Sequence, residues 1–287
     1  MSQPSLLAPA RPPRPRRARA VVSTVLILGG TGEARDLAAL LAAVDRQPHG
    51  VPVPPAALER REVAELRVVS SLAGRVARPR LPVGEVRIGG FGGPERMASW
   101  LRAEGVGCVV DATHPFAERI SASAALATAA AGIPLLRLQR PGWEQDLDDV
   151  WHWVDSLPEA ASLLPELGRR VFLTTGRQGL RAFTAVDDAH FLIRCVDPPE
   201  PADLPADHEL LLARGPYTVE GELALIDRHR LDVIVTKDSG GRLTAAKLDA
   251  ARTRRLPVIV VRRPGRPQLP EVATATDAAA WVRARLR

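Results

Sequence analysis

Seven short stretches carry most of the residues that could do chemistry: GGTGEAR (29–35), SSLAGR (70–75), GGFGG (89–93), DATHPFA (111–117), TTGR (174–177), ARGPYT (213–218) and TKDSGG (236–241). In the first, Gly29, Gly30 and Gly32 let the backbone pass close to a phosphate, and Thr31 offers a hydroxyl. A helical pattern opens near Glu33, so free N–H groups would point at the anion. The spacing departs from G-x-G-x-x-G, because Ala34 and Arg35 stand where a last glycine belongs. A packing bend would use the same glycines. The position directly after the first apolar run favours the nucleotide reading.

A dinucleotide site commonly places an acid after the second strand, to hold the ribose 2′-hydroxyl. Here that strand ends in VVSSLAGR, with no acid. Ser70, Ser71 and Arg75 instead suit a 2′-phosphate, which predicts NADPH over NADH, although a serine-rich turn would read the same way.

In DATHPFA, Asp111 and His114 follow an apolar strand, and Pro115 stiffens the loop. His114 could move a proton, and Asp111 could orient it or a substrate amine. The plainer alternative is an Asp that caps the next helix and a His that packs. Lys237, Asp238 and Ser239 precede Gly240 and Gly241, an arrangement that suits a carboxylate or phosphate. Arg214, Tyr217 and Thr218, with Thr174, Thr175 and Arg177, complete a donor-rich, cationic rim, although each stretch alone reads as a capped turn. Lys247, on the following helix, reads equally as an exposed helix lysine. The catalytic candidates are Asp111, His114, Tyr217 and Lys237, with no proton donor singled out. No Cys or His spacing suggests a metal site.

These stretches need elements to hold them. From residue 21 onward, apolar strands alternate with amphipathic helices: TVLIL then EARDLAALLAAV, VGCVVDATHPFA then ERISASAALATAAAG, LDVIVTKDSGG then RLTAAKLDAARTRR. RRVFLTTGRQGLRAFTAV reads as strand, turn and helix. Such alternation predicts α/β architecture: two doubly wound, mainly parallel-sheet, Rossmann-like domains with a cleft between them. The polar stretches all fall after strands, at the carboxyl edge where such sheets bind ligands. The expected layout is an Arg/Pro-rich disordered extension over 1–20, a cofactor-binding domain over 21–140, a crossover over 141–157 and a C-terminal domain over 158–287.

The 287 residues carry a formal net charge of +6, which suits an anionic ligand, yet no Lys/Arg stripe is interleaved with aromatics as nucleic acid would require. Two cysteines far apart, Cys108 and Cys195, read as buried thiols and favour a reducing, cytoplasmic setting. No apolar run is long enough to span a bilayer.

Taken in order, ILGGTGEAR, SSLAGR, DATHPFA, TTGR, RGPYT and TKDSGG resemble the precorrin-6A reductases of cobalamin biosynthesis, the cobalt-precorrin-6A form included, over roughly residues 22–286. The resemblance implies an NADPH-dependent oxidoreductase acting on a CH–CH group. It would reduce one double bond of a carboxylate-rich tetrapyrrole, precorrin-6A or its cobalt form, to give precorrin-6B. It implies that Gly29, Gly30, Thr31, Gly32 and Glu33 cradle the cofactor and that Ser70, Ser71 and Arg75 extend that site. DATHPFA would lie near the nicotinamide. Thr175, Arg177, Arg214, Tyr217, Lys237, Asp238, Ser239 and Gly240 would face the macrocycle. The expected partner is this small molecule, with no nucleic acid and no membrane, and the chain as a monomer or weak homo-oligomer. An S-adenosylmethionine-dependent methyltransferase of the same pathway and a non-catalytic dinucleotide sensor are the competing readings. The missing ribose acid argues against the first, and the polar strand ends of the C-terminal half against the second.

Overall fold

The computed structural model describes residues 23–43, 66–74 and 79–286. Arg75, the Arg/Pro extension and the Pro-rich loop after the first helix lie outside them. The remainder forms two α/β lobes.

The first sheet begins with β1 (Ser23–Leu28), β2 (Leu66–Leu72) and β3 (Glu85–Ile88). It continues through β4 (Val106–Asp111) and β5 (Leu135–Leu138) and ends with β12 (Glu271–Val272), in the order β12-β5-β4-β1-β2-β3. The second comprises β6 (Trp151–Val154), β7 (Arg170–Leu173), β8 (His190–Cys195), β9 (His208–Leu212), β10 (Val233–Lys237) and β11 (Val258–Val261), in the order β6-β11-β10-β7-β8-β9. Every pairing is parallel. Parallel strands need crossovers, and the crossover helices cover both faces of each sheet, so the central strands are apolar throughout. Residues 25–28 of β1, for example, are at most 1% exposed.

Helices α1 (Gly32–Ala43) and α7 (Ala275–Arg285) pack Leu37, Leu41 and Val282 on one face of the first sheet. On its other face, α2 (Pro94–Ala103) and α3 (Glu118–Ala131) contribute Met97, Leu101 and Ala124. The second sheet is covered by α4 (Leu157–Leu167) on one face. Helices α5 (Val219–His229) and α6 (Ala246–Arg254) cover the other. Local signals set the helix ends. Pro94 opens α2, Gly132 closes α3 at φ 69°, and Ser156, Thr218 and Thr274 each accept a backbone N–H as N-caps.

Two boundaries differ from the sequence expectation. The span 141–157 is not only a crossover, because it contains β6, an edge strand of the second sheet. The end of the chain does not stay in the second lobe: β12 pairs with β5, and α7 packs on α1. A two-residue strand is too short to show a period of two, so the return leaves almost no trace in the sequence. The helix expected after TTGR shrinks to a 3₁₀ turn, Leu180–Phe183, since Gly176 and Gly179 take positive φ. Conversely, α4 carries Pro158 and Pro165, which mask it as a helix.

In each sheet the strand order reverses once, between β1 and β4 in the first and between β7 and β10 in the second. Ligands bind beyond the carboxyl ends of strands at such switch points.

Candidate active site

The first switch point brings the glycine turn against DATHPFA. Ala112 N donates to Leu28 O at 3.0 Å, and Gly29 N donates to Ser71 O at 2.9 Å. Thr31 Oγ1 donates to Ala112 O at 2.8 Å and accepts from Ala34 N at 3.1 Å. Thr31 therefore caps α1 and ties two loops, and its proton is committed within the protein. Gly30 adopts φ +118°, and a Cβ there would meet nothing within 4 Å, so this face of the turn is open. The first-turn N–H groups of α1 lie beside that space. Ser70 is 2% exposed, and its Oγ has no partner among the described residues. An open turn, a helix N-terminus beside it and a buried hydroxyl without a partner among the described residues fit a phosphate-bearing dinucleotide.

Asp111 is buried and saturated. Its Oδ1 accepts from Thr113 N at 3.2 Å and Thr113 Oγ1 at 2.6 Å, and its Oδ2 accepts from Ser121 Oγ at 2.6 Å. Arg266 Nη2 stands 3.6 Å from Oδ2. The carboxylate holds its loop to α3, and both of its oxygens are engaged within the protein, which argues against the catalytic role expected for Asp111. His114, by contrast, keeps part of its surface exposed while protein atoms crowd the imidazole on most sides. Its Nδ1 accepts from Phe116 N at 3.3 Å. The protein walls desolvate the ring, and Arg140, Lys237, Arg263 and Arg266 repel a further positive charge. Together they push its pKa down to about 3, so the imidazole is neutral near pH 7.

The second switch point faces the first. Phe116, from the first lobe, packs against the core of the second. Lys237 Nζ lies 5.5 Å from its ring and donates to Thr175 O at 3.1 Å and Gln178 O at 3.3 Å. Burial lowers the Lys237 pKa. Asp238, expected to face the substrate, is engaged within the protein: its Oδ1 accepts from Trp143 N at 3.0 Å, and its Oδ2 pairs with Arg263 Nε at 3.0 Å. Gly240, at φ +65°, lies so near the Pro141 carbonyl that a Cβ would collide with it. This close backbone approach by itself requires glycine. The Ser239 carbonyl accepts from Arg140 Nε at 2.6 Å, while Arg140 Nη1 pairs with Glu33 Oε2 at 2.7 Å.

Three arginines of the cleft, Arg140, Arg263 and Arg266, lie on the two segments by which the chain crosses between lobes. Arg263 donates from Nη1 to Arg140 O and from Nη2 to Pro141 O, both at 2.9 Å, and so binds the crossings together. Their signal was in the sequence. LLRLQRP and VIVVRRPGR are also strand ends followed by cations, and they belong beside the seven stretches.

Tyr217 and Arg214 are not joined to this cluster by any contact described here. The Tyr217 hydroxyl donates to Ala213 O at 3.1 Å, and burial raises its pKa. The Arg194 guanidinium sits between the rings of Tyr217 and Phe172, at 3.7 Å and 4.7 Å, and pairs with Glu222 at 2.6 Å. Lys247 is no exposed helix lysine. It is 2% exposed, donates to Thr244 O at 2.7 Å and lies 4.5 Å over Trp143. Desolvation, with Arg194 adding to it and Glu222 opposing, pushes its pKa down to about 7. Arg177 is half-buried near the Cys195 thiol, and Arg214 is exposed. Both cysteines are free and buried, as expected. Among the described residues, no group of three His, Cys, Asp or Glu side chains could hold a metal ion.

Paired, doubly wound lobes with facing switch points and an arginine-lined cleft define a two-lobed α/β protein built to hold anionic ligands between its sheets. The family described as precorrin-6x reductase CbiJ/CobK matches residues 56–283. Over 262 residues the chain is 50% identical to the precorrin-6A reductase of Rhodococcus erythropolis, covering 91% of this chain and 98% of that one. It is 46% identical over 266 residues to the precorrin-6A reductase of Mycobacterium tuberculosis, covering 91% and 98%. A solved structure titled CobK precorrin-6A reductase superposes with a TM-score of 0.79 at 39% identity, covering 92% of this chain and 97% of that one. The chain belongs to the precorrin-6x reductase family.

Proposed function

We propose that this protein reduces one ring double bond of precorrin-6A to give precorrin-6B in cobalamin biosynthesis, with NADPH as the hydride donor. The observation that carries the reading is the gathering of cations near His114: Arg140 and Arg263 are hydrogen-bonded together, Arg266 meets Thr113 of the same loop, and Lys237 lies over Phe116, whose ring is beside that of His114. A tetrapyrrole edged with acetates and propionates suits such a cleft, because guanidinium groups grip carboxylates through paired N–H donors. The relatives compared favour the ring without cobalt. Those named precorrin-6A reductase are 39–50% identical, and those named for the cobalt form 27–31%.

Gly30, the first turn of α1, Ser70 and Ser71 would hold the cofactor, with Arg75 as the further cation expected from the sequence. The bound nicotinamide supplies the hydride. Around it, the protein aligns and screens: Phe116 seals one side of the cleft, and Lys237 and Arg263 orient ring carboxylates. In the free protein His114 is neutral and no ready acid. Carboxylates entering beside it offset the four cations and raise its affinity for a proton, so the second hydrogen comes from His114 in the complex or from water. Arg177, Arg214 and Tyr217 extend the substrate face. The protein acts in the cytoplasm; among the described residues, no helix is long and apolar enough to cross a membrane.

The test is anaerobic turnover of precorrin-6A with NADPH or NADH, followed by absorbance at 340 nm and mass of the product. A product two mass units heavier, formed faster with NADPH, supports the reading. Binding of S-adenosylmethionine in place of either nucleotide would overturn it.

A further inference from the structure

The carboxyl edge of β2 and β3 holds one more cation. Arg87, on β3, is the register partner of Ser71 on β2, so in this parallel pair both side chains stand on one face. Ser71 O in turn receives the N–H of Gly29, which places Arg87 one strand beyond the glycine turn.

The guanidinium is unusually fixed for one with no acid beside it. Nη1 donates to Gly89 O at 2.6 Å and reaches Ser71 Oγ at 3.4 Å; Nη2 donates to Gly90 O at 2.8 Å. Its plane lies 3.8 Å from the Phe91 ring centroid and 5.7 Å from that of Trp100. Three of five N–H donors are thereby used, leaving two for a ligand. Neither Asp nor Glu pairs with it among the described residues, whereas Arg140, Arg263 and Arg266 each face a carboxylate. Desolvation lowers its pKa without any opposing partner. A half-buried, oriented and unneutralised guanidinium beside a strand-end serine is a built anion site. Gly89 and Gly92, at φ +113° and +78°, carry the loop that presents its two carbonyls.

We infer that Arg87, with Ser71, binds the 2′-phosphate of the nucleotide and sets the preference for NADPH over NADH. The assignment rests on the cofactor reading above. Position favours it: in doubly wound sheets the adenine ribose lies at the end of the second strand, and that strand ends here without an acid. Phe91, stacked on the guanidinium, keeps its fork from swinging away when the site is empty.

The experiment measures Kd for NADPH, NADH, 2′,5′-ADP and AMP by calorimetry, using the full chain and the variants Arg87→Met and Arg87→Lys. In Arg87→Met, Kd for NADPH and 2′,5′-ADP should rise about tenfold or more, while NADH and AMP change less than about twofold. Arg87→Lys keeps the charge but loses the fork, and should fall between. Equal loss for NADPH and NADH, or no loss for either, overturns the assignment. In case the variants fail to fold, hydrogen exchange on the unaltered protein gives an independent reading. Residues 87–93 should be protected by 2′,5′-ADP and not by AMP, and protection confined to other segments overturns it. If the unaltered protein binds NADH as tightly as NADPH, the cofactor reading itself fails. If it prefers NADPH and Arg87→Met retains that preference, only the role of Arg87 fails.

Discussion

Glu33, in the first turn of α1, is salt-bridged to Arg140 at 2.7 Å, and the same guanidinium donates to the Ser239 carbonyl of the opposite lobe. One side chain therefore connects the turn proposed to hold the nucleotide with the loop proposed to face the ring. Arg140→Ala should weaken both ligands several-fold, not one alone, and cost about 1–3 kcal/mol of stability. Arg140→Lys, which keeps one donor direction, should recover part of both. Steady-state kinetics with each ligand varied in turn, and urea unfolding, would check it. A change in a single KM would show that the two sites are not joined through this residue.

Gly240 and Gly241 offer an internal contrast. At Gly240 the backbone is left-handed and a Cβ would strike the Pro141 carbonyl. At Gly241, with φ −91°, a Cβ would first meet the flexible Arg140 side chain, at 3.3 Å. Gly240→Ala should cost about 1–3 kcal/mol and displace the loop, with Gly241→Ala nearly neutral. Melting temperatures of the two variants, side by side, decide it.

His114 should remain neutral through the physiological range. Its folded pKa, pushed down to about 3, lies below the ordinary 6.5. The unfolded chain thus binds the extra proton between those values. Stability present above about pH 6.5 is lost as pH falls toward 3. His114→Gln should make the acid side of the stability profile shallower. Proton NMR of the imidazole, with and without a porphyrin polycarboxylate, should show the pKa rising on binding. A free-protein titration near 6.5 would contradict both the desolvation and the surrounding cations as its causes.

Lys247 gives the opposite end of the pH scale. Its pKa is pushed down from 10.5 to about 7. The unfolded chain holds the proton more tightly across that interval, so stability rises with pH from about 7 to 10.5. Replacing it with Met removes the buried charge. The gain in unfolding free energy should be greatest below pH 7 and shrink towards pH 10, and a pH-independent gain would rule out this origin.

Asp111→Ala leaves Arg266 buried without its carboxylate, at a cost of about 3–5 kcal/mol. Asp111→Asn keeps one of the two acceptor oxygens, for Thr113 or for Ser121 but not both, and should cost less than the truncation. The comparison of urea midpoints separates a structural carboxylate from a catalytic one: a full loss of turnover in Asp111→Asn at unchanged stability would restore its chemical role.

The alternation of strands and helices was legible because parallel, doubly covered strands must be apolar along their length. Backbone placement was legible where glycine or a strand end constrained it: Gly30 takes positive φ in the turn after β1, and Lys237 ends β10. What the sequence hid was direction. Asp111, Asp238 and Thr31 have the right chemistry, but their polar atoms turn inward to partners that only the fold brings near. The burial of Lys247 is not legible either, because nothing in a short helix announces which lysine it buries. Arg140 and Arg263 were passed over because arginine after a strand looks like ordinary surface until two crossings are seen to meet.

The return of β12 and α7 to the first sheet has a consequence for how the molecule is made. The second lobe, from β6 to β11, is a continuous insert that leaves the ribosome whole, while the first waits for its last strand and for the helix that shields Leu37 and Leu41. A premature stop after β11 would therefore spare the later-made lobe and cripple the one begun first, and the nucleotide turn would be the last part of the protein to mature.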